Sequence, residues 1–410
     1  MRLRPKVHAS EEASTVIRSN RHISPARLAS PLEDDNLLRE ILLRLPPRPS
    51  SLPRASAVCK RWQRASTDPR FHRQFHEYHQ KPPLLGFFED NMDGIMFRPI
   101  LDHPDRIPSQ CFDLRAHVID NGNLSRFQLL GCRHGRLLIM RPLQQDLIVI
   151  APITDEECRV SIPPEFNKRY VNGAVLYAAA DHGHVHGSCH LSPFKVVLLS
   201  TSTYYSGPQL VLASVYSSEA GIWGDVISTP TPCELRGASI HGSLVGNALY
   251  WLFEDYMIEF HLDGHILALI DVPPTINEAR RFLTCMRSSR SWMALLVSPY
   301  CLTMTITFKC GKGRLIVRVL PNGSCGRPLI CVTLMGSPHG VKGERQGLLF
   351  RLRYTEDSDD IILYVGPNVY IIQLKSMQSK KLCGTRHVSG HHSFKSFCMP
   401  GDCSSLVLAS

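Results

Sequence analysis

The 410-residue chain predicts an α+β multidomain protein, in which a small N-terminal three-helix module precedes an all-β, propeller-like domain of about six or seven blades. Two observations carry this. Between Pro31 and Tyr78 apolar residues recur at helical spacing and are punctuated by prolines. From Pro82 onward that spacing gives way to short apolar runs separated by Gly, Pro, Asn and Asp turns, and three stretches look like variants of one unit. The expected divisions are a disordered basic segment at 1–30, the helical module at 31–80 and the β domain at 83–400, with an atypical stretch at 287–330.

In the helical module, Leu37, Leu38, Ile41, Leu42 and Leu45 fall on one stripe of a first helix. Asp34, Asp35 or Asn36 can cap its first turn, and Pro46 and Pro47 end it. A second helix opens at Ser51 or Pro53 and carries Leu52, Ala55, Val58, Cys59 and Trp62 on its apolar side. After the Asp68-Pro69 break, a third spaces Phe71, Phe75 and Tyr78. So small a unit is marginal alone. Its stripe must therefore be covered by the large domain or by a partner. At about 1.5–3 kcal/mol per fully buried large side chain, five or six such residues could anchor a tight interface.

The run from Pro31 to Phe71 resembles an F-box, the module through which substrate receptors dock on the Skp-type linker of cullin-RING ubiquitin ligases. The residues that carry the resemblance are an acidic cap, Leu-Leu-x-Glu-Ile-Leu-x-Arg-Leu-Pro, Val-Cys-Lys-x-Trp and Asp-Pro-x-Phe, in order and at the usual spacing. It implies that Leu38, Ile41, Leu42, Leu45, Pro46, Val58, Cys59 and Trp62 lie at or support the linker interface. The start departs from the pattern, reading Pro31-Leu32 where many F-boxes open Leu-Pro.

In the β domain the first unit places strands near 137–140, 147–150 and 159–162. The second places them near 249–253, 257–261 and 266–270, and the third near 361–365, 369–374 and 380–382. Ile150, Phe260 and Ile372 serve as equivalent points, each pair about two blades apart. A pair of β-sandwiches is the alternative architecture. The phrases KPPLLGFF, LLGCRHGRLLI, VYSSEAGIWGDVIST and LVGNALYWL look like the large family of grass F-box proteins with a β-rich F-box-associated domain. In that family the β domain is taken to recruit substrates. Around 287–330 the chain departs from the family, with a basic stretch that contains no acidic residue.

Composition excludes several classes of function. Residues 1–82 hold 16 Lys/Arg against 8 Asp/Glu, and Arg280 to Arg345 adds a second basic stretch, so the net +10 is local rather than a uniform nucleic-acid-binding surface. No apolar run approaches the roughly 18–20 residues that cross a bilayer. Fourteen scattered cysteines without a Cys-x-x-Cys, and no apolar core in the first 30 residues, lead us to expect reduced thiols and a location in the cytoplasm and/or nucleus.

The chain lacks Gly-x-Ser-x-Gly, His-Glu-x-x-His and a P-loop. No catalysis and no cofactor are expected. His182, His184 and His186, followed by Cys189 and His190, are the densest metal-capable set, and a polar loop explains them equally well. Tyr250 and Trp251 read as blade core. Tyr216 and Trp223, beside Gly221 and Gly224, are candidate recognition residues on a loop surface. The main functional reading is a non-catalytic adaptor that joins the linker, and through it cullin, to an unknown protein substrate, with no nucleic acid or membrane as partner. The alternatives are a ligand- or carbohydrate-binding propeller without a ubiquitin-ligase role, and a propeller enzyme using the His182 cluster.

Overall fold

The computed structural model describes residues 34–91, 94–112, 114, 127–166, 170–178, 192–201, 210–231, 242–253 and 256–271, and then 304–310, 313–320, 329–335, 350–355, 360–365, 368–373, 378–384 and 391–397. The expected basic segment at 1–30 and the His182, His184 and His186 cluster lie outside the described residues.

The helical module has four helices: α1 (Asp35–Leu43), α2 (Ser51–Ser56), α3 (Lys60–Thr67) and α4 (Pro69–His79). Asp34 caps α1, its carboxylate accepting from Asn36 N at 2.8 Å and Leu37 N at 3.3 Å. Asp68 does the same for α4, accepting from Arg70 N at 2.9 Å ahead of Pro69 at the first helical position. The single second helix expected from spacing is two, because Cys59 leaves the α region for extended backbone (φ −165°, ψ 167°). Val58 and Cys59 therefore sit in a connection rather than on an apolar helix face.

The β part is arranged as a β-propeller of antiparallel sheets taken in chain order. After β1 (Leu84–Asn91) and β2 (Gly94–Pro99) come β3 (Gln128–Arg133), β4 (Arg136–Arg141), β5 (Asp146–Ala151) and β6 (Glu156–Ser161), which form one four-stranded meander. Next, β7 (Tyr170–Tyr177), β8 (Phe194–Thr201) and β9 (Leu210–Ser217) pair in order, and β10 (Ile222–Trp223) and β11 (Ile227–Pro230) both pair with β9. A further meander is β12 (Ser243–Val245), β13 (Ala248–Leu252), β14 (Tyr256–His261) and β15 (Ile266–Asp271). Within the atypical stretch and just beyond it, β16 (Met304–Cys310), β17 (Gly313–Leu320) and β18 (Leu329–Met335) make three strands. The last full meander is β19 (Phe350–Thr355), β20 (Asp360–Val365), β21 (Asn368–Gln373) and β22 (Gln378–Gly384). Finally, β23 (His391–Lys395) returns to pair with β1, giving the order β2-β1-β23.

Among the described residues the count of complete blades is four, not the six or seven expected. Four sheets reach four or five strands, whereas the β16–β18 and β2-β1-β23 sheets have three among the described residues. Dividing chain length by a repeat length assumes that every sheet is full. It cannot register a sheet assembled from both ends of the chain.

The apolar cores lie between sheets. One joins β1 and β2 to the β3–β6 sheet, through Phe88, Phe97, Phe394, Leu137 and Ile148. The next joins β3–β6 to β7–β9, through Leu138, Val149, Val175 and Leu198. A third joins β7–β9 to β12–β15, through Ala174, Val197, Trp251 and Phe260. Phe87 meets Ile362 and Val369, and Lys380 pairs with Asp102, so the last meander reaches the first sheet. Strands such as β4 and β5 are buried on both faces, successive side chains feeding opposite cores, and repetition of such sheets protects their edges by closing a ring. Among the described residues no helix is long and apolar enough to cross a membrane. Cys111, in a short 3-10 turn at Ser109–Phe112, is disulfide-bonded, while Cys59 and Cys158 carry free thiols. This corrects the expectation of reduced thiols throughout, since disulfide pairing follows from the fold and not from spacing along the chain.

Candidate partner-docking site

The helical module is built around Leu38, Leu42, Ala55, Phe71 and Phe75, with Leu45, Leu52 and Trp62 packed against them. Successive residues on a helix are turned by about 100°, so the stripe of α1, which holds Leu37, Leu38, Ile41 and Leu42, is too wide for one interface. Leu38 and Leu42 turn inward and are fully buried. Leu37 and Ile41, one position back on each turn, remain 40% and 37% exposed. Val58, in the α2–α3 connection, is 62% exposed, and Cys59 beside it is exposed as well.

Ion pairs fix how these helices meet. Arg61 Nε lies 2.7 Å from Asp35 Oδ1, which draws the start of α3 to the start of α1. Arg39 Nη2 lies 2.7 Å from Asp68 Oδ2 and ties α1 to the cap of α4. The Arg70 backbone amide, and behind it Arg39, hold the Asp68 carboxyl below its ordinary range. The first pair is exposed and the second only partly buried, so each is worth little in stability. They set orientation more than they add strength.

Of the residues expected at the interface, Ile41, Pro46, Val58 and Cys59 are at the surface. Leu38 and Leu42 are core, and Leu45 and Trp62 are half-buried against it. Cys59 was expected to pack on an apolar face, and its exposure follows from the break in the helix. Sequence reasoning assigned Leu37 to the stripe but not to the interface. The signal that could have found it is its i, i+4 relation to Ile41. Among the described residues Leu37 and Ile41 on α1, and Val58 ahead of the α3 that Arg61 draws to α1, make an exposed apolar ledge, with exposed Arg54, Lys60 and Arg64 close by in sequence. Exposed apolar side chains with cationic residues near them in sequence suit the binding of another protein.

The two recognition candidates of the β domain do not form a loop surface. Gly221, at φ +71°, turns the chain so that β10 pairs back on β9, with Trp223 opposite Tyr216. Their rings pack at 5.5 Å between centroids, and Tyr216 is buried in the core between two sheets. Trp223 packs on the same core and donates Nε1–H to Ser161 O at 2.8 Å. Burial pushes the Tyr216 hydroxyl and the Cys158 thiol it meets above their ordinary values. The glycines that suggested a loop serve a tight hairpin. Tyr250 and Trp251 are buried blade core, as expected, and Tyr250 Oη donates to Glu259. Among the described residues no group of three or more His, Cys, Asp and Glu is placed to hold a metal ion.

Residues 34–74 match the F-box domain family. No curated protein matches the chain. Among solved structures the chain is similar to a streptogramin B lyase, with 10% identity over 75% of this chain and 85% of that one and a TM-score of 0.31. It is also similar to the AfRom2 CNH domain, with 7% identity, 73% and 84% coverage and a TM-score of 0.28. The WD40 domain of SCAP from fission yeast gives 8% identity, 72% and 81% coverage and a TM-score of 0.25. Likenesses at this level carry no argument about fold or activity.

Proposed function

We propose that this protein is a non-catalytic substrate-recognition subunit of a Skp-cullin-F-box ubiquitin ligase. The observation that carries the proposal is an F-box match whose folded helices leave Leu37, Ile41 and Val58 exposed while Leu38 and Leu42 close the core beneath. In this reading Ile41, Pro46, Val58 and Cys59 touch the Skp-type linker. Leu38, Leu42, Leu45 and Trp62 support them from below. The propeller holds a protein target near a ubiquitin-charged conjugating enzyme, and the rate gain comes from effective concentration rather than from side-chain chemistry in this chain. In this reading the target-binding role falls to residues 83–400, as the resemblance of its β segments to grass F-box proteins implies. The proposed location is the cytoplasm and/or nucleus.

The test is co-purification of the full-length chain with a recombinant Skp-type linker and cullin. A stoichiometric complex is expected. A folded chain that fails to bind the linker, combined with a specific hit on a glycan array, would replace this reading with the ligand-binding propeller.

A further inference from the structure

The helical module and the propeller touch where the two ends of the β domain meet. Five residues after α4 ends at His79, β1 begins at Leu84. Strand β23 closes the ring on β1, with Phe88 opposite His392 and Leu84 opposite Lys395. The chain then continues along the same line, Ser396 N donating to Pro83 O at 3.3 Å. The next residue, Phe397, leaves the propeller and packs against the helical core. Its ring lies flat on His76 at 4.6 Å and 14°, and edge-on to Phe75 at 6.4 Å and 78°. A second clasp joins the start of α2 to the loop after β2. There Ser50 donates its N–H at 3.0 Å and its hydroxyl at 2.6 Å to the buried Asp105 carboxylate, and Arg48 lies 3.6 Å away.

We propose that Phe397 makes the stability of the F-box helices depend on closure of the propeller. Residues 34–79 supply too little apolar surface to be secure alone. The last piece of cover for α4 is delivered by the strand that closes the ring. A chain whose ring is open withdraws that piece, so its F-box opens more often than that of a finished molecule. Phe397 is in this sense a positioning residue that reports on β23.

Amide hydrogen exchange on the full chain, without any linker protein, tests this apart from the ligase reading. Phe397→Ala should speed exchange in α4 about tenfold or more while leaving β3–β6 unchanged. Phe397→Leu, which keeps apolar bulk, should recover most of the protection. The decisive variant is Phe394→Leu, which loosens β23 from within the aromatic cluster of Phe88, Phe97 and Phe112 and touches no F-box residue of that core. It should speed exchange in α4 as well, and that effect should vanish when Phe397 is already Ala. Exchange in α4 unmoved by Phe397→Ala, or moved by Phe394→Leu equally with and without Phe397, would overturn the proposal.

Discussion

Replacing Leu37, Ile41 and Val58 together by Ala tests whether the exposed ledge seats the linker. Fully burying a Val, Leu or Ile side chain is worth about 1.5–3 kcal/mol. Taking ~2 kcal/mol for each and scaling by the exposed fractions of 40%, 37% and 62% gives roughly 2.5–3 kcal/mol for seating all three. Ala keeps the β-carbon, so linker affinity should fall by about 30- to 100-fold. Stability should move little, because exposed positions rarely cost more than ~0.5 kcal/mol each. Leu42→Ala makes the contrast. That side chain is fully buried in the helical core, and its truncation should cost about 2–5 kcal/mol of stability. Titration calorimetry against the recombinant linker reads the first effect, and thermal unfolding of the free chain reads the second. A triple variant that binds the linker with unchanged affinity would refute the assignment of the ledge. Loss of binding accompanied by an equal loss of fold would show only that the module had melted.

Cys59, exposed beside Val58, should be alkylated rapidly by a maleimide in the free chain and protected when the linker is bound. Cys158, whose thiol is pushed up by burial, should react slowly in both states; equal labelling of Cys59 with and without linker argues against its place in the contact. Burial pushes the His72 imidazole below its ordinary 6.5, against smaller opposing effects of the Ser66 backbone and Asp68. The unfolded chain then binds the proton more readily, so stability is full above pH 6.5 and falls as pH drops through that value toward the lowered one. The His72→Gln variant should flatten this slope in melts recorded between pH 7 and 5, and an identical slope would place the titration elsewhere. Gly86→Ala should destabilise the first sheet by about 1–3 kcal/mol, since the added carbon would overlap Arg98 O and stand 2.5 Å from the Phe97 ring. An unaltered melting temperature would mean that the register shift between Leu84 and Gly86 absorbs the clash.

Much of the local structure was legible because it follows from period and punctuation. Ile150, Phe260 and Ile372, chosen as equivalent from sequence, fall on β5, β14 and β21, the third strand of each of their sheets. The strands of these three sheets begin and end within about three residues of the expected positions, as assignments at element ends usually do. What was not legible depends on contacts distant in sequence. The blade count failed because two sheets have only three strands among the described residues, β16–β18 and the β2-β1-β23 sheet, which takes strands from both ends of the β domain. Tyr216 and Trp223 looked like loop residues because glycines flank them, yet glycine at positive φ is also what a hairpin needs to return a strand onto its neighbour. Val58 and Cys59 kept helical spacing with Leu52 and Ala55, and spacing alone cannot register a break that involves no proline or glycine. Asp105 and Phe397, which hold the two domains together, carry no local pattern at all.

The stripe on the helical module posed a choice, cover by the large domain or cover by a partner, and the fold answers differently on different faces. The face formed by Phe75 and His76 is closed by Phe397, and the start of α2 is pinned by Asp105. Leu37, Ile41 and Val58 are left open. Because the module is already clasped at two points, it cannot roll to bury that ledge on the propeller without breaking an aromatic stack and a buried carboxylate's hydrogen bonds, an unsatisfied group of the latter kind costing about 1–3 kcal/mol. Exposure of the ledge is therefore enforced by the attachment of the module. If the ledge seats the linker as proposed, the same clasp fixes the direction in which the propeller presents its target, and loosening it through Asp105→Ala should broaden the set of target lysines modified while leaving linker affinity intact. A modification pattern as narrow as that of the unaltered chain would mean that orientation is set elsewhere.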